Sequence, residues 1–209
     1  MHLSTSRVAS VLFTALFLLN AGTVSVNGAD PIAIAHRGLL RHAPENTLPA
    51  FAVCLELGMG FELDIRTTKD GHLVVLHDDS VKRTTDGPAR SVRDMTLAEI
   101  QQLDAGTWFG QSFAGLTVPT LEETLSLVKE RKSGATIIAL NVKQLNRDGE
   151  AKLVALVERY QLLEESFAFD QNSDMSHRFK LLNPKFRIGQ NVNRKSIQTR
   201  LEEGFLDVF

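Results

Sequence analysis

The 209-residue chain has a single cysteine, Cys54, so no disulfide forms within it and the fold must rest on packing alone. Basic runs are missing too. The formal net charge is -2, with both signs interspersed, which argues against nucleic acid or an anionic membrane surface as partner. No Asn-x-Ser/Thr acceptor, internal repeat or low-complexity segment occurs. Neither G-x-G-x-x-G nor a phosphate-binding G-x-x-x-x-G-K-[ST] follows any strand candidate, which weakens the common nucleotide-binding readings. No apolar run reaches the roughly 20 residues of a membrane span. The longest is "VASVLFTALFLL", residues 8–19. Arg7 precedes it, and small residues follow near Gly28 and Ala29, the pattern of a secretory signal peptide over 1–29. That predicts an exported domain, periplasmic or secreted, over 30–209, with no stable membrane span. An uncleaved anchor is the alternative.

What is present is ordinary globular material: 43% of residues are hydrophobic and 23% charged, enough for one large domain or two small ones. After residue 30, β-rich runs at 32–38, 60–68, 72–78, 135–143, 166–171, 186–192 and 205–209 alternate with helical patterns at 46–57, 96–103, 120–131, 150–162, 173–182 and 195–203. "TLAEI" and "TLEETL" place Thr three residues before Glu, the spacing of a capping box. Alternating strands and helices predict an α/β fold with parallel pairing, either a (β/α) barrel or an open doubly wound sheet. Polar residues recur at the strand ends: His36 and Arg37, Glu62 and Asp64, His77 and Asp78, Asn141 and Lys143, Asp170 and Gln171, Gln190 and Asn191. In a (β/α)8 barrel these ends converge on one rim, which favours the barrel.

The segment "GFELDIRTT" carries the sharpest signal. Side chains alternate along a strand, so Phe61, Leu63 and Ile65 share one face and Glu62 and Asp64 the other. Such a pair could be the wet face of an edge strand. In a barrel strand it faces the mouth, where two crowded carboxylates call for a cationic partner such as a hard divalent ion. His36 and His77 on the same rim suit proton transfer near neutrality. Arg37 and Lys143 add the positive charge that a phosphate needs, although a salt bridge to Glu62, Asp64 or Glu45 would also account for them. The residues alone point to a metal-assisted phosphoester hydrolase acting on a small molecule.

"AHRGLLRHAPENTLPAF", "FELDIRTTKDGHLVVLHDDSVKRTTDG", "TLAEIQQLDAGTWF" and "VPTLEETL" resemble the successive signature blocks of the glycerophosphodiester phosphodiesterase family. The resemblance implies a TIM-type (β/α)8 barrel that cleaves glycerophosphodiesters to sn-glycerol 3-phosphate and an alcohol with Mg2+ or Ca2+. It implies that His36 and His77 serve as general acid and base, Glu62 and Asp64 as metal ligands, Arg37 as a phosphate contact and Glu45 as an active-site group. In the family's usual course the glycerol 2-hydroxyl attacks phosphorus and a cyclic phosphate is then opened by water. Two departures stand out. Asn141 occupies the place of a further metal-binding Glu, which predicts weaker metal affinity or a different ion, while Lys143 keeps its place. About seven strands are counted, so the barrel is expected to be incomplete, lacking its last strand. A sphingomyelinase D-like or phospholipase C-like lipid phosphodiesterase, with Trp108, Phe109 and Phe113 at a membrane-facing rim, is one alternative. An inactive or binding remnant of the same fold is another.

Overall fold

The computed structural model describes residues 33–134, 136–169 and 174–189. The expected signal segment, the pairs Asp170/Gln171 and Gln190/Asn191, the helix at 195–203 and the run at 205–209 lie outside them. The chain runs β1 (Ile34–Ala35), α1 (Leu48–Glu56), β2 (Gly60–Thr67), β3 (Leu73–Val75), α2 (Leu97–Ile100), α3 (Leu121–Arg131), β4 (Ile138–Gln144), α4 (Arg147–Arg159), β5 (Ser166–Phe169) and α5 (Asp174–Leu182), with short 3-10 turns between β3 and α3. Strands β1, β2, β4 and β5 lie side by side in that order, all parallel. A further parallel bridge joins Ala168 to Ile188. Helical crossovers link these strands, so the described residues form an arc of a (β/α) barrel.

The run at 72–78 departs from the expected parallel pattern. It returns antiparallel to β2 and stands off the main path, pairing Val75 with Ile65 and Leu73 with Thr67. The reason is length. Parallel strands need a crossover of a dozen or more residues, whereas only 68–72 separate these two. Asp70 and Gly71 make the turn: Gly71 has φ +79°, and the Thr68 hydroxyl donates to Asp70 at 2.6 Å. The run at 72–78 is thus a hairpin strand and not one of the parallel strands of the barrel. The described residues hold four path strands, one hairpin strand and the Ile188 bridge.

Two buried clusters result. The larger places Phe61, Leu63 and Ile65 of β2 with Ile138, Leu140 and Val142 of β4, against Phe51 and Leu55 of α1, Leu125 of α3 and Leu153 and Val157 of α4. Phe51 stacks on Phe61 with centroids 4.3 Å apart. A smaller core under the excursion after β3 gathers Val74, Leu76, Val81, Val92, Met95, Ile100, Ala105 and Val118. Both expected capping boxes form: Thr96 with Glu99, and Thr120 with Glu123. Helix α4 starts earlier than its apolar pattern suggests, because the Asn146 side chain accepts from the Gly149 N–H and caps the end. Among the described residues no helix is long and apolar enough to cross a membrane.

Candidate active site

Because β2 buries Phe61, Leu63 and Ile65 against the helices, Glu62 and Asp64 turn to the opposite face. Both are still enclosed, with Asp64 fully buried. Parallel pairing sets Asn141 opposite Asp64, and Lys143 lies on the same face two residues on. The Asn141 amide donates to Glu62 Oε1 at 2.8 Å, and Lys143 Nζ lies 3.2 Å from Asp64 Oδ1.

The loop after β1 delivers the next groups. Arg37 and Gly38 have φ of +57° and +84°, left-handed conformations that cost a non-glycine residue about 1 kcal/mol. The turn is held from both sides. Arg37 N–H donates to Glu62 Oε2 at 2.9 Å, and the Arg37 carbonyl accepts from Asn46 N–H at 3.0 Å. The Arg37 guanidinium then reaches Glu45 at 3.0 Å, with Nε 3.5 Å from Asp64 Oδ2. His36 Nε2 is 3.9 Å from Glu62 Oε2, and its ring is 64% exposed.

His77 reaches this rim because the hairpin runs backwards. Antiparallel β3 carries the chain along the same edge of β2 that holds β1, and Leu76 N–H donates to the Asp64 carbonyl at 3.0 Å. His77 then pairs through Nδ1 with Asp78 Oδ1 at 2.7 Å. Its carbonyl accepts two hydrogen bonds from Arg66, at 3.0 and 2.6 Å. All eight residues expected at the site, His36, His77, Arg37, Lys143, Glu62, Asp64, Asn141 and Glu45, therefore belong to β1, β2, the hairpin, β4 and the loops between.

Three participants were not assigned to the site by sequence reasoning. Asn46 grips Asp64 twice, donating from Nδ2 to Oδ2 at 2.8 Å and accepting at Oδ1 from the Asp64 N–H at 3.2 Å. Its left-handed backbone, φ +56°, is one that Asn tolerates better than most residues, and the ENT block was the available signal. Arg83 pairs with both Glu45 and Asp78. Asp78, read only as a strand-end polar residue, holds His77.

The electrostatics follow from this crowding. Burial, then the Asp64 charge, push the Glu62 carboxyl above its ordinary range, against the hydrogen bonds from Asn141 and the Arg37 amide. Burial also acts upward on Glu45, but the hydrogen bonds and charges of Arg83 and Arg37 outweigh it and lower that carboxyl. Hydrogen bonds from Arg83, assisted by His77, hold Asp78 well below the usual carboxylate range. Arg37 Nε and Asp64 Oδ1 are the buried side-chain polar atoms left without a hydrogen bond among the described residues; Lys143 approaches Asp64 Oδ1 as a charge, outside hydrogen-bond geometry. Such groups are costly to leave unsatisfied. Each faces an opposite charge, Asp64 Oδ2 at 3.5 Å and Lys143 Nζ at 3.2 Å, without a hydrogen bond.

Among the described residues no three His, Cys, Asp or Glu side chains gather as a metal site. The available set is Glu62 and Asp64 plus the Asn141 amide, whose carbonyl oxygen is a ligand type that hard cations accept. Trp108 donates its indole N–H to the Ala105 carbonyl at 2.9 Å and meets Phe109 edge-on, as Phe109 meets Phe113. These three rings thus pack on one another and on their own loop.

Residues 36–195 match the model of the glycerophosphoryl diester phosphodiesterase family. A glycerophosphodiester phosphodiesterase of Caldanaerobacter subterraneus is 41% identical over 159 residues, covering 76% of this chain and 65% of the relative. One of Bacillus subtilis is 35% identical over 176 residues, covering 76% and 59%. The chain thus spans somewhat under two thirds of these relatives. Among solved structures, an Oleispira antarctica phosphodiesterase in complex with the product sn-glycerol-3-phosphate is similar with TM-score 0.69 and 32% identity, over 83% of this chain and 71% of that one. A glycerophosphodiester phosphodiesterase from Agrobacterium tumefaciens is similar at TM-score 0.69 and 28% identity, over 85% and 84%.

Proposed function

The chain belongs to the glycerophosphoryl diester phosphodiesterase family, and from this we propose that it hydrolyses glycerophosphodiesters to sn-glycerol 3-phosphate and an alcohol. The observation that carries the reading is the pair of unsatisfied buried atoms, Arg37 Nε and Asp64 Oδ1. A phosphodiester beside a divalent cation would satisfy both. The Oleispira relative holds sn-glycerol-3-phosphate as product, the species that a glycerophosphodiester substrate yields.

Arg37 binds the phosphate. Its backbone is fixed by Glu62 and Asn46, and its guanidinium is aimed by Glu45, so little rotamer entropy is lost when phosphate arrives. Lys143, paired with Asp64, adds a second positive charge on the other side. Glu62 and Asp64, with the Asn141 carbonyl, fit a divalent cation, Mg2+ or Ca2+: the like-charged, desolvated carboxylate pair is relieved by one. When bound, the cation neutralises charge developing on the phosphoryl oxygens. His36 and His77 transfer the protons. With Asp78 beside its Nδ1, His77 has Nε2 left to take or give a proton. His36, next to the phosphate arginine, serves the opposite role. The active domain acts outside the cytoplasm if residues 1–29 are its export signal, a reading supported by their pattern of charge and apolar length.

The test is release of glycerol 3-phosphate from glycerophosphocholine. Release that needs the cation and falls by about 10²–10⁴-fold in His36→Ala and His77→Ala supports the reading. Unchanged release in either variant contradicts it.

A further inference from the structure

Arg83 stands on the 3-10 turn Val81–Arg83, on the excursion after β3 and away from the parallel strands. Its guanidinium makes four hydrogen bonds. Nη1 and Nη2 donate to Glu45 Oε2 and Oε1 at 2.9 and 2.7 Å. Nε and Nη2 donate to Asp78 Oδ2 and Oδ1 at 2.7 and 2.9 Å. Glu45 Oε1 in turn receives Arg37, and Asp78 Oδ1 receives His77. One planar cation therefore closes an alternating chain, Arg37–Glu45–Arg83–Asp78–His77.

We propose that Arg83 is a positioning residue for the phosphodiesterase reaction, setting the phosphate-binding Arg37 and the proton-transferring His77 in one frame through the two carboxylates it forks. This rests on the hydrolase reading of the same site. Each bond is short and charge-assisted, the strong kind. The geometry needs the five-donor fork of arginine, and a lysine ammonium cannot present two pairs of parallel donors to two carboxylates. A half-exposed arginine, 45% accessible, usually adds little as an isolated pair. Here the turn that carries it is anchored. Val81 is buried in the second core. Its carbonyl accepts the Thr85 hydroxyl at 2.7 Å, its N–H donates to the Arg90 carbonyl at 3.1 Å, and Val92 N–H donates to the Asp79 carbonyl at 2.8 Å. The second core thereby holds a clamp against the rim of the barrel.

The effect acts through other side chains, so the test needs a readout beyond activity. Ring-nitrogen NMR of the full chain reports the His77 tautomer directly. Unsubstituted protein should show His77 protonated at Nδ1. Arg83→Gln and Arg83→Lys should move that signal toward a tautomer mixture and lower kcat/KM for glycerophosphocholine by about 10²-fold, the scale of a misplaced catalytic group. Arg90→Gln, which loses a surface pair with Glu99, should change neither. In a His77→Ala background the further loss from Arg83→Gln should shrink to the Arg37 branch and appear mainly in KM. A His77 signal unmoved in both Arg83 variants, with activity within twofold of the original, overturns the proposal. If the unsubstituted chain hydrolyses nothing yet His77 responds to Arg83→Gln, the clamp stands and the hydrolase reading falls.

Discussion

Asn141 stands where the family resemblance implies a further metal-binding Glu, and its hydrogen bond shows how an amide is held there. The amide donates to Glu62 Oε1 and eases a carboxylate that burial and Asp64 disfavour. Asn141→Glu is therefore expected to raise affinity for Mg2+ or Ca2+, measured calorimetrically, while lowering the thermal midpoint of the metal-free protein, since three carboxylates would then crowd one desolvated spot. Equal affinity in the two proteins would show that Asn141 stands outside the ion's reach. Glu45 and Asp78 give the opposite sign. Both are held below ordinary values of 4.5 and 3.8, so the unfolded chain binds their protons more readily. Their stabilisation is complete above those values and is lost as pH falls through the lowered native ones. Glu45→Gln should then melt below the original protein at pH 7, and the gap should close on descending through pH 4.5; a gap that widens in acid would contradict the assignment. At this scale the sequence showed the groups whose chemistry speaks for itself: alternation alone put Glu62 and Asp64 on one face. Asn46 was passed over although it stands in the ENT block, because its importance lies in a left-handed backbone, and Arg83 stayed hidden because a tertiary fork has no local signature.

At the scale of elements, the turn from β1 into α1 has little freedom. A Cβ on Gly38 would lie 2.7 Å from the Ala50 Cβ, at a φ of +84°. Gly38→Ala should cost about 2 kcal/mol or more from strain and overpacking together, read from urea denaturation. It should also weaken phosphate binding, because the Arg37 N–H anchored on Glu62 moves with it. A substitution without effect on either would mean that the turn relaxes freely. The capping boxes were legible because a helix start is local chemistry, and Thr120→Ala should lose about 1 kcal/mol. Most strands were legible from β-rich composition. The direction of β3 was not read, although Asp70-Gly71 between two apolar runs is a hairpin signal. The cost of that miss was a barrel strand too many, and its lesson is mechanistic: only a reversed strand brings His77 back beside β1.

At the scale of the molecule, the fold divides the labour between two cores. The larger supports the parallel strands that carry Glu62, Asp64, Asn141 and Lys143; the smaller supports the excursion that carries His77, Asp78 and Arg83. A cation held by Glu62 and Asp64 should stabilise the larger core that carries them. Saturating divalent cation should stabilise the fold by mass action, by about 2.7 kcal/mol at a hundredfold excess over Kd, and so raise the thermal midpoint, and Asp64→Asn should abolish that shift. The central claim, that the unsatisfied atoms of the rim await a phosphodiester and a cation, is tested most directly by following glycerol 3-phosphate released from glycerophosphocholine by the original chain and by Asp64→Asn, with and without Mg2+ or Ca2+. Cation-dependent release by the first and none by the second is the predicted result. Equal release by both, or release indifferent to the cation, would contradict it.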